Sequence, residues 1–181
     1  MGNPLVVVKR QVPLAHPLAD GALLSGLLGG LVVASLAYNA RIWEQDYPPA
    51  IQARAGPMSP ADKRQRLVVA IPLLALLLGV PVYSNLRLRR RNGGQLALAS
   101  AFANAYAVTG LANLFDALVI DYLLVVRLRP DFVVLPGTSG MDAYADVGFH
   151  VANFFKGVGI GFVQSAVTAW LTHRTPRGTR A

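Results

Sequence analysis

Two long apolar stretches of this sequence contain polar side chains of the types that can hold a proton or a cation. The six residues are Asn113, Asp116, Asp121, His150, Asn153 and Lys156. Charged groups are costly in hydrocarbon, so they normally face a protein interior or a water-filled cavity. Their spacing therefore bears directly on what the chain can do.

The two stretches are predicted to pair as helices, with their polar residues at matching depths. If both helices meet the same membrane boundary, Asp121 lies ~7 Å below it and His150 ~4 to 5 Å, at a rise of ~1.5 Å per residue. On the same basis Asp116 and Lys156 both lie ~13 to 15 Å deep. At ~100° per residue, each polar set spreads over ~120 to 140° of its helix. We predict that Asp121 accepts a hydrogen bond from His150 and that Lys156 neutralises Asp116.

The polar cluster has three interpretations on sequence grounds. It can be structural, because removing one partner of a buried pair leaves a costly lone charge. It can form a pocket, open to the outer side, for a proton, a cation or a small polar substrate. Asp121, Asp146 and His150 can also be read as metal ligands, but one histidine with loosely spaced oxygens is not a metal motif, and we predict no metal. The sequence assigns no catalytic residue and no cofactor.

The composition indicates a membrane protein. Of 181 residues, 54% are apolar and 14% are charged, whereas a soluble domain has about a quarter charged residues. The charge is nearly absent from four apolar runs. We predict an all-α fold, a four-helix transmembrane bundle with an ordered loop between helices three and four. The parts are an N-terminal cytoplasmic arm (1–20), spans at about 21–42, 67–85, 97–126 and 147–171 within a membrane domain (21–172), and a cytoplasmic tail (173–181). The first run is long for a cleaved secretory signal, so an uncleaved span is preferred.

The net charge of +8 flanks the apolar runs. This pattern favours contact with the lipid bilayer. We do not predict nucleic-acid binding. A short hairpin carries the residues predicted to bind anionic lipid headgroups, Arg87, Arg89, Arg90 and Arg91. The hairpin lies close to two spans, so we place it and both termini in the cytoplasm. The sequence contains no cysteine, which excludes disulfides, thiol catalysis and iron–sulfur clusters.

The first loop contains clear helix signals. A short helix is predicted over 49–55 with Gly56 as its stop, and Ser59 with Asp62 has the spacing of a capping box. Trp43 and Tyr47 suit a membrane-interface belt. Glu44 and Asp46 are interpreted as solvated acids rather than functional carboxylates. His16, before a proline in the N-terminal arm, is interpreted as a solvated loop histidine.

The third loop is predicted to be ordered. Its apolar run over 132–135 is strand-like, and the helix after it is predicted to start near Gly140 with Ser139 as its cap. The turn residues Gly137, Thr138, Ser139 and Gly140 form a possible anion-binding loop, with a structural turn as the favoured interpretation. In the second span, Pro72 is expected to produce a kink unless a neighbour satisfies the freed carbonyl.

Glycines at helical spacing indicate close helix contacts. Gly26 with Gly30, and Gly157 with Gly161, form small-residue faces that suit a protein partner, a homo-oligomer or a neighbouring helix. Gly157, Gly159 and Gly161 also spell a glycine-rich motif. It lies inside an apolar run without a preceding strand, so a dinucleotide site is not predicted.

Parts of the sequence resemble a group of small multi-span bacterial integral membrane proteins with no assigned activity. The resemblance covers roughly the C-terminal half and one loop, and it implies a bacterial inner membrane but no catalytic role. The residues that carry it are Asp46-Tyr47-Pro48, Ile51-Gln52, Asn113-Leu114-Phe115-Asp116, Asp121, Phe132-Val133-Val134, Pro136-Gly137-Thr138, Gly140-Met141, Tyr144, Asp146, Phe149-His150 and Lys156-Gly157.

Two functional hypotheses follow. The first is a non-catalytic subunit, accessory or assembly factor of a membrane complex, which the glycine faces and short loops favour. The alternative is a small membrane enzyme or transporter that uses the Asp/His/Lys cluster as a pocket open to the outer side. Four spans are few for a transporter built from inverted repeats, and no repeat between the halves is visible.

Overall fold

The computed structural model describes residues 14–174, in which helices are joined by short loops and no strand is formed. The only strand-like feature within that range is an isolated antiparallel bridge between Leu96 and Arg174. The predicted all-α class is therefore confirmed. Most of the predicted N-terminal arm and C-terminal tail, residues 1–13 and 175–181, lies outside the described residues.

Residues 14–174 form five α-helices, three short 3₁₀-helices and one π-helix. The α-helices are α1 (Ala15–Asn39), α2 (Pro49–Ala55), α3 (Pro60–Arg91), α4 (Leu98–Phe115) and α5 (Val147–Thr172). Short 3₁₀-helices cover Ala40–Asp46, Asp131–Val133 and Asp142–Ala145, and a π-helix covers Asp116–Leu128 directly after α4.

Three helical segments are long and apolar enough to cross a membrane: Ala15–Asp46, Pro60–Arg91 and Val147–Thr172. Large aliphatic side chains such as Leu67, Ile71 and Leu74 of α3 are exposed on the surface. Apolar surface of this extent marks contact with a membrane or a partner. The predicted span at 97–126 is not a uniform α-helix, because its α-helical part ends at Phe115 and the rest is wound as the π-helix.

The helix signals of the first loop are confirmed. Helix α2 ends at Gly56, whose positive φ of 71° favours glycine. Ser59 and Asp62 form the capping box, with the Ser59 side chain accepting from the Asp62 backbone N–H and the Asp62 side chain accepting from the Ser59 N–H. The capping box therefore satisfies the backbone N–H groups of Ser59 and Asp62 at the start of α3.

Helix α3 continues through both of its internal prolines, Pro72 and Pro81. A proline at position 81 leaves the carbonyl of Leu77 without its usual helical donor. The side-chain amide of Gln164 in α5 donates to that carbonyl. A neighbouring helix thus satisfies one of the two proline sites, which explains why α3 tolerates Pro81 within an apolar run.

The third loop is ordered, but its details differ from the prediction. The run predicted as a strand forms a 3₁₀ turn over Asp131–Val133. Helix α5 begins at Val147 rather than near Gly140, and its cap is Asp146, whose Oδ1 accepts from the backbone N–H of Phe149 at 3.0 Å. A second 3₁₀ turn, which precedes α5, occupies the stretch where the sequence predicted the start of the helix.

The long helices run antiparallel to their chain neighbours, and α1 and α5 each pack against both α3 and α4. We call one end the arginine end, where Asn85 bonds Thr172 and Leu96 pairs with Arg174. We call the other end the loop end. There the Tyr47 hydroxyl donates to the Val133 carbonyl at 2.7 Å.

Close contact between α1 and α4 uses glycines other than those predicted. A Cβ on Gly21 would meet Leu111, and one on Gly29 would meet Phe115, both at less than 3.0 Å. Gly26 and Gly30 have no atom within 4 Å of such a Cβ, so their face is open in the single chain. The Gly157 and Gly161 face packs on α4, against Asn113 and Thr109, because α5 lies next to α4.

Candidate functional site

A cavity of about 500 Å³ lies between the long helices near the loop end. One part of its wall is aliphatic, with Leu36 from α1, Leu73 and Leu77 from α3, and Ile160 from α5. The 3₁₀-helix after α1 contributes Trp43. The polar side chains that line it are Asp46, Asn113, Asp116, Asp121, Asn153 and Lys156. We call it the carboxylate cavity.

The π-helix places Asp116 and Asp121 on the same wall of the carboxylate cavity. In an α-helix, residues five apart diverge by ~140° around the axis. A π-helix closes its turns with i→i+5 hydrogen bonds, so residues five apart lie nearly above one another. The wider winding therefore aligns two carboxylates that α-helical geometry would separate.

Two of the cavity carboxylates have no polar partner within residues 14–174. Neither Asp46 nor Asp116 makes a hydrogen bond or ion pair there, and both side chains are exposed to the cavity. Asp46, which the sequence suggested was a solvated acid, instead lines this cavity and a smaller adjoining one of about 240 Å³ that includes Arg66. Both residues are exposed, so their carboxylates are accessible to a ligand that enters the cavity.

Asp121 and His150 lie together. His150 Nδ1 is 3.3 Å from Asp121 Oδ2, and the histidine is buried between α5 and the π-helix. The geometry is a close charge contact rather than a well-aligned hydrogen bond, and His150 Nε2 has no hydrogen-bond partner in the structure. Asp121 is thus the charged group nearest to the His150 ring.

Lys156 does not pair with Asp116, contrary to the sequence prediction. Its Nζ donates to Asn153 Oδ1 at 2.9 Å, three residues earlier on the same helix. The two residues share a depth and a cavity, but their side chains are not within ion-pair distance. A common depth is insufficient because the rotation of each helix also decides which groups meet.

Asn113 couples α4 to α5 at the edge of the cavity. Its side-chain amide donates to the Phe154 carbonyl at 3.2 Å, and its amide group occupies the space that a side chain on Gly157 would need. The small size of Gly157 therefore allows the contact between α4 and α5 within one chain. Thr109 and Ser165, whose hydroxyls are 3.2 Å apart, continue the same polar seam toward the arginine end.

The turn considered as an anion-binding loop is a structural element. Thr138 is fully buried, and its hydroxyl donates to the Leu135 carbonyl at 2.7 Å and lies 2.6 Å from the Tyr144 hydroxyl. Gly137 and Gly140 have the positive φ angles of turn glycines, and Ser139 is exposed between them. The turn also lies before a 3₁₀ segment instead of at the start of α5.

Tyr47 fixes the first loop over the third. It is 2% exposed rather than part of an interface belt, and its ring packs edge-to-face on Tyr144. Burial raises the pKa of the Tyr47 phenol, with the nearby Tyr144 adding to the effect, so the hydroxyl stays a neutral donor to Val133. Glu44 is likewise not solvated, because it lies largely buried 3.3 Å from Arg41.

The metal interpretation gains no support. Asp146 uses its carboxylate to cap α5, away from Asp121 and His150. No group of three potential metal-ligating side chains occurs among residues 14–174. The polar cluster of the sequence therefore resolves into a pair, Asp121 with His150, and a cavity wall formed by the others.

A second buried polar network lies at the arginine end. His16, interpreted from sequence as a solvated loop residue, is 2% exposed at the start of α1. Its Nε2 lies 3.1 Å from the Ser84 carbonyl, and a carbonyl can only accept, so we assign the proton to Nε2. Its Nδ1 then accepts from Arg87 and Arg91, each at 3.3 Å. Asp20, also buried, lies 2.8 Å from Arg87.

Three of the four hairpin arginines contact the chain itself. Arg87 pairs with Asp20, Arg91 reaches His16, and Arg89 donates to the Thr172 carbonyl at 3.2 Å. Asn104 extends the network from α4 by donating to Ser84 and Asn85. These arginines therefore hold helix ends together, a role the sequence did not reveal.

Sequence reasoning missed Asp46 in the cavity and His16, Asp20, Asn85 and Asn104 in the arginine-end network. The sequence did contain signals for the residues of the arginine-end network. His16 and Asp20 are four residues apart, which is one helical turn, and Asn85 and Asn104 are amides within or beside apolar runs. The sequence does not show that Asn85 and Asn104 face one another, because that depends on how α3 packs against α4.

Comparison with known proteins gave no relative: no protein-family model, curated protein or solved structure matches this chain.

Proposed function

We propose that this protein is a four-span bundle of the bacterial inner membrane with both termini in the cytoplasm. The fourth crossing would be α4 together with the π-helix. The packing of α4 against α1, α3 and α5 supports this, because a segment enclosed by three membrane helices shares their environment. The hairpin arginines at the arginine end support a cytoplasmic location for that end.

Single-cysteine labelling tests this topology without prior removal of native thiols, because the sequence has no cysteine. Gln95→Cys lies exposed at the arginine end, and Ser139→Cys lies exposed at the loop end. We expect a membrane-impermeant maleimide to label Ser139→Cys in intact cells and Gln95→Cys only after permeabilisation. Labelling of both positions from one side would contradict the four-span arrangement.

We further propose that the carboxylate cavity binds a small cation or protonated amine. The observation that carries this proposal is the pair of unpartnered carboxylates, Asp46 and Asp116, facing a cavity with aliphatic walls. A carboxylate beside aliphatic walls is stabilised by a hydrogen-bond donor, a positive charge or a proton. Lys156 donates to Asn153 and pairs with neither carboxylate, so we assign the positive charge to a ligand.

The Asp121 and His150 pair gives this site a proton partner. It lies on the π-helix wall of the cavity through Asp121. An imidazole can exist neutral or protonated, and the charge it carries beside Asp121 would affect the affinity of that wall for a cation. The chain thus has the parts of a site that exchanges a proton for a cation, which suits the transporter form of the hypothesis.

Trp43 offers a direct readout of the cavity because it lies in its wall. The other tryptophan, Trp170, is exposed on α5, so Trp170→Phe leaves a single reporter. We expect butylammonium to change the Trp43 emission saturably. Asp116→Asn should weaken binding by about tenfold or more, the value of a hydrogen bond to a charged group.

The matched control is Asp142→Asn, an exposed carboxylate of the third loop that does not line the cavity. It should bind butylammonium like the parent. An absent fluorescence response in a folded parent protein, or equal affinity in Asp116→Asn, would contradict the cation site.

A role as a subunit of a larger complex is the second candidate. The open face of α1 supports it, since Gly26 and Gly30 have nothing within 4 Å of an added Cβ and small residues allow close helix approach. Native mass spectrometry of gently extracted protein tests it. We expect a partner or a second copy that Gly26→Leu displaces. Recovery of a bare chain from both the parent protein and Gly26→Leu would contradict the subunit role.

A further inference from the structure

An apolar groove adjoins the carboxylate cavity on the side that faces away from the loops. It has a volume of about 620 Å³ and lies between α3 and α5. Its walls are formed by Leu78, Val82, Gly159, Ile160, Val163 and Val167. The amide of Gln164, its most polar wall residue, is already engaged with the Leu77 carbonyl. The groove therefore offers contacts to hydrocarbon and almost nothing to a polar group.

The groove and the cavity meet at Ile160, which lines both. From Ile160 the groove follows α5 to Leu171, a distance of about 16 Å at the helical rise. A molecule longer than the cavity, with one end among the carboxylates, would pass Ile160 and lie between α3 and α5. A compact ligand would occupy only the cavity.

We infer that the ligand is a long-chain amphiphile with a protonated amine head, whose head lies in the carboxylate cavity and whose alkyl chain lies in the groove. This inference rests on the proposed cation site and adds the class of ligand. The charges select the head group, because three carboxylates (Asp46, Asp116 and Asp121) against one lysine (Lys156) line the cavity and favour a cation over a carboxylate or phosphate. The aliphatic lining selects the chain, because it offers van der Waals contacts along the methylenes and few hydrogen-bonding groups.

Gly159 is the residue that distinguishes the groove from the cavity. It lines the groove but not the cavity, and nothing lies within 4 Å of a Cβ built on it. A leucine at this position would project into the groove without displacing a neighbour. Gly79 of α3 has equally open surroundings and lines neither the groove nor the cavity, so Gly79→Leu is a matched control for adding a large side chain to a membrane-facing helix.

The experiment uses the full chain in phosphatidylcholine nanodiscs with a nitroxide-labelled long-chain alkylamine. Electron paramagnetic resonance measures the fraction of motionally restricted probe, and a fatty acid with the same label and chain length is the head-group control. We expect the parent and Gly79→Leu to restrict the amine more than the fatty acid. Gly159→Leu should reduce the restricted amine to the fatty-acid level, while its response to soluble butylammonium through Trp43 stays intact.

The two readouts separate this inference from the cation site. If Gly159→Leu restricts the amine as well as the parent does, the groove does not hold the chain and the inference is overturned. If the fatty acid is restricted as strongly as the amine, the head-group assignment is overturned. If Asp116→Asn lowers amine restriction and butylammonium binding together while Gly159→Leu lowers only the former, both proposals are supported. Absence of a butylammonium response in the parent overturns the cation site itself.

Discussion

At the scale of single residues, Gly157 shows how one missing side chain positions a polar group. The side chain of Asn113 fills the space beside Gly157 and donates to the Phe154 carbonyl. A methyl group at position 157 must push the amide away from that carbonyl. Gly157 is therefore required by the contact between α4 and α5 and not by backbone conformation, since it lies within a regular helix.

We predict that Gly157→Ala destabilises the protein by about 1–3 kcal/mol, the usual cost of overpacking an interior. Gly159→Ala, two residues along α5, has open space around the new methyl group and should be neutral or slightly stabilising through helix propensity. Denaturant titration of both variants in the same detergent measures the difference. Equal stability of the two variants would show that Asn113 moves aside without cost.

The side-chain amide of Gln164 donates to the Leu77 carbonyl, which has no helical donor because residue 81 is a proline. Gln164→Leu should lower stability by about 0.6–1.7 kcal/mol, the range for hydrogen bonds between membrane helices. In a Pro81→Ala background, the alanine N–H satisfies Leu77, so the same change at Gln164 should cost much less. The coupling energy from this double-mutant cycle is the measured quantity. A coupling energy near zero would contradict the role of Gln164.

At the scale of elements, the π-helix explains why the sequence located the polar residues but not their arrangement. Depth along an axis follows from residue number alone, and Asp121 does lie against His150. Direction around the axis depends on the winding, and the winding of Asp116–Leu128 differs from that of an α-helix. The predicted pair of Asp116 with Lys156 was therefore wrong, although both residues line one cavity.

Tyr144 orders the third loop through hydrogen bonds to other residues of that loop. The Tyr144 hydroxyl accepts from the buried Leu135 N–H at 2.9 Å and contacts Thr138. Tyr144→Phe leaves that N–H without a partner, and we expect a loss of about 1–3 kcal/mol together with faster amide exchange across 131–145. Tyr38→Phe, which changes a highly exposed tyrosine, is the control. Unchanged exchange in Tyr144→Phe would contradict this role.

Local signals explain which loop elements were predictable. The cap at Ser59 and the stop at Gly56 depend on residues within a few positions, and both predictions are confirmed. The apolar run at 132–135 becomes a turn because Val133 and Leu135 pack into the core formed with Tyr47 and Ile51 of the first loop. Tertiary contacts between two loops therefore override the local strand preference.

At the scale of the whole molecule, the arginine-end network connects helix ends that are distant in sequence. The ion pair between Asp20 and Arg87 joins α1 to α3, and Asn104 and Thr172 add α4 and α5 through Asn85. These contacts fix the relative positions of the long helices, and thereby the shape of the cavity between them.

We predict that Arg87→Gln destabilises the protein by about 1–3 kcal/mol, less than the loss of a fully buried pair, because Arg87 is partly exposed and His16 Nε2 remains 3.4 Å from Asp20. Arg90→Gln changes an exposed arginine of the same hairpin and should have little effect. Adding Asp20→Asn to Arg87→Gln should recover part of the loss. Thermal unfolding in detergent measures all three variants. A similar loss in Arg90→Gln would indicate a general effect of charge and not the buried pair.

The sequence by itself determined what local chemistry and composition dictate: an apolar helical chain, the caps of the first loop, the residues able to carry charge inside it, and their depths. The tertiary structure decided the rest. It wound Asp116 and Asp121 onto one wall, brought Asp46 to the cavity from a loop, and buried His16 between Ser84 and two arginines. The physical reason is that helix rotation and loop packing are set by contacts between segments far apart in the chain, which local spacing does not encode.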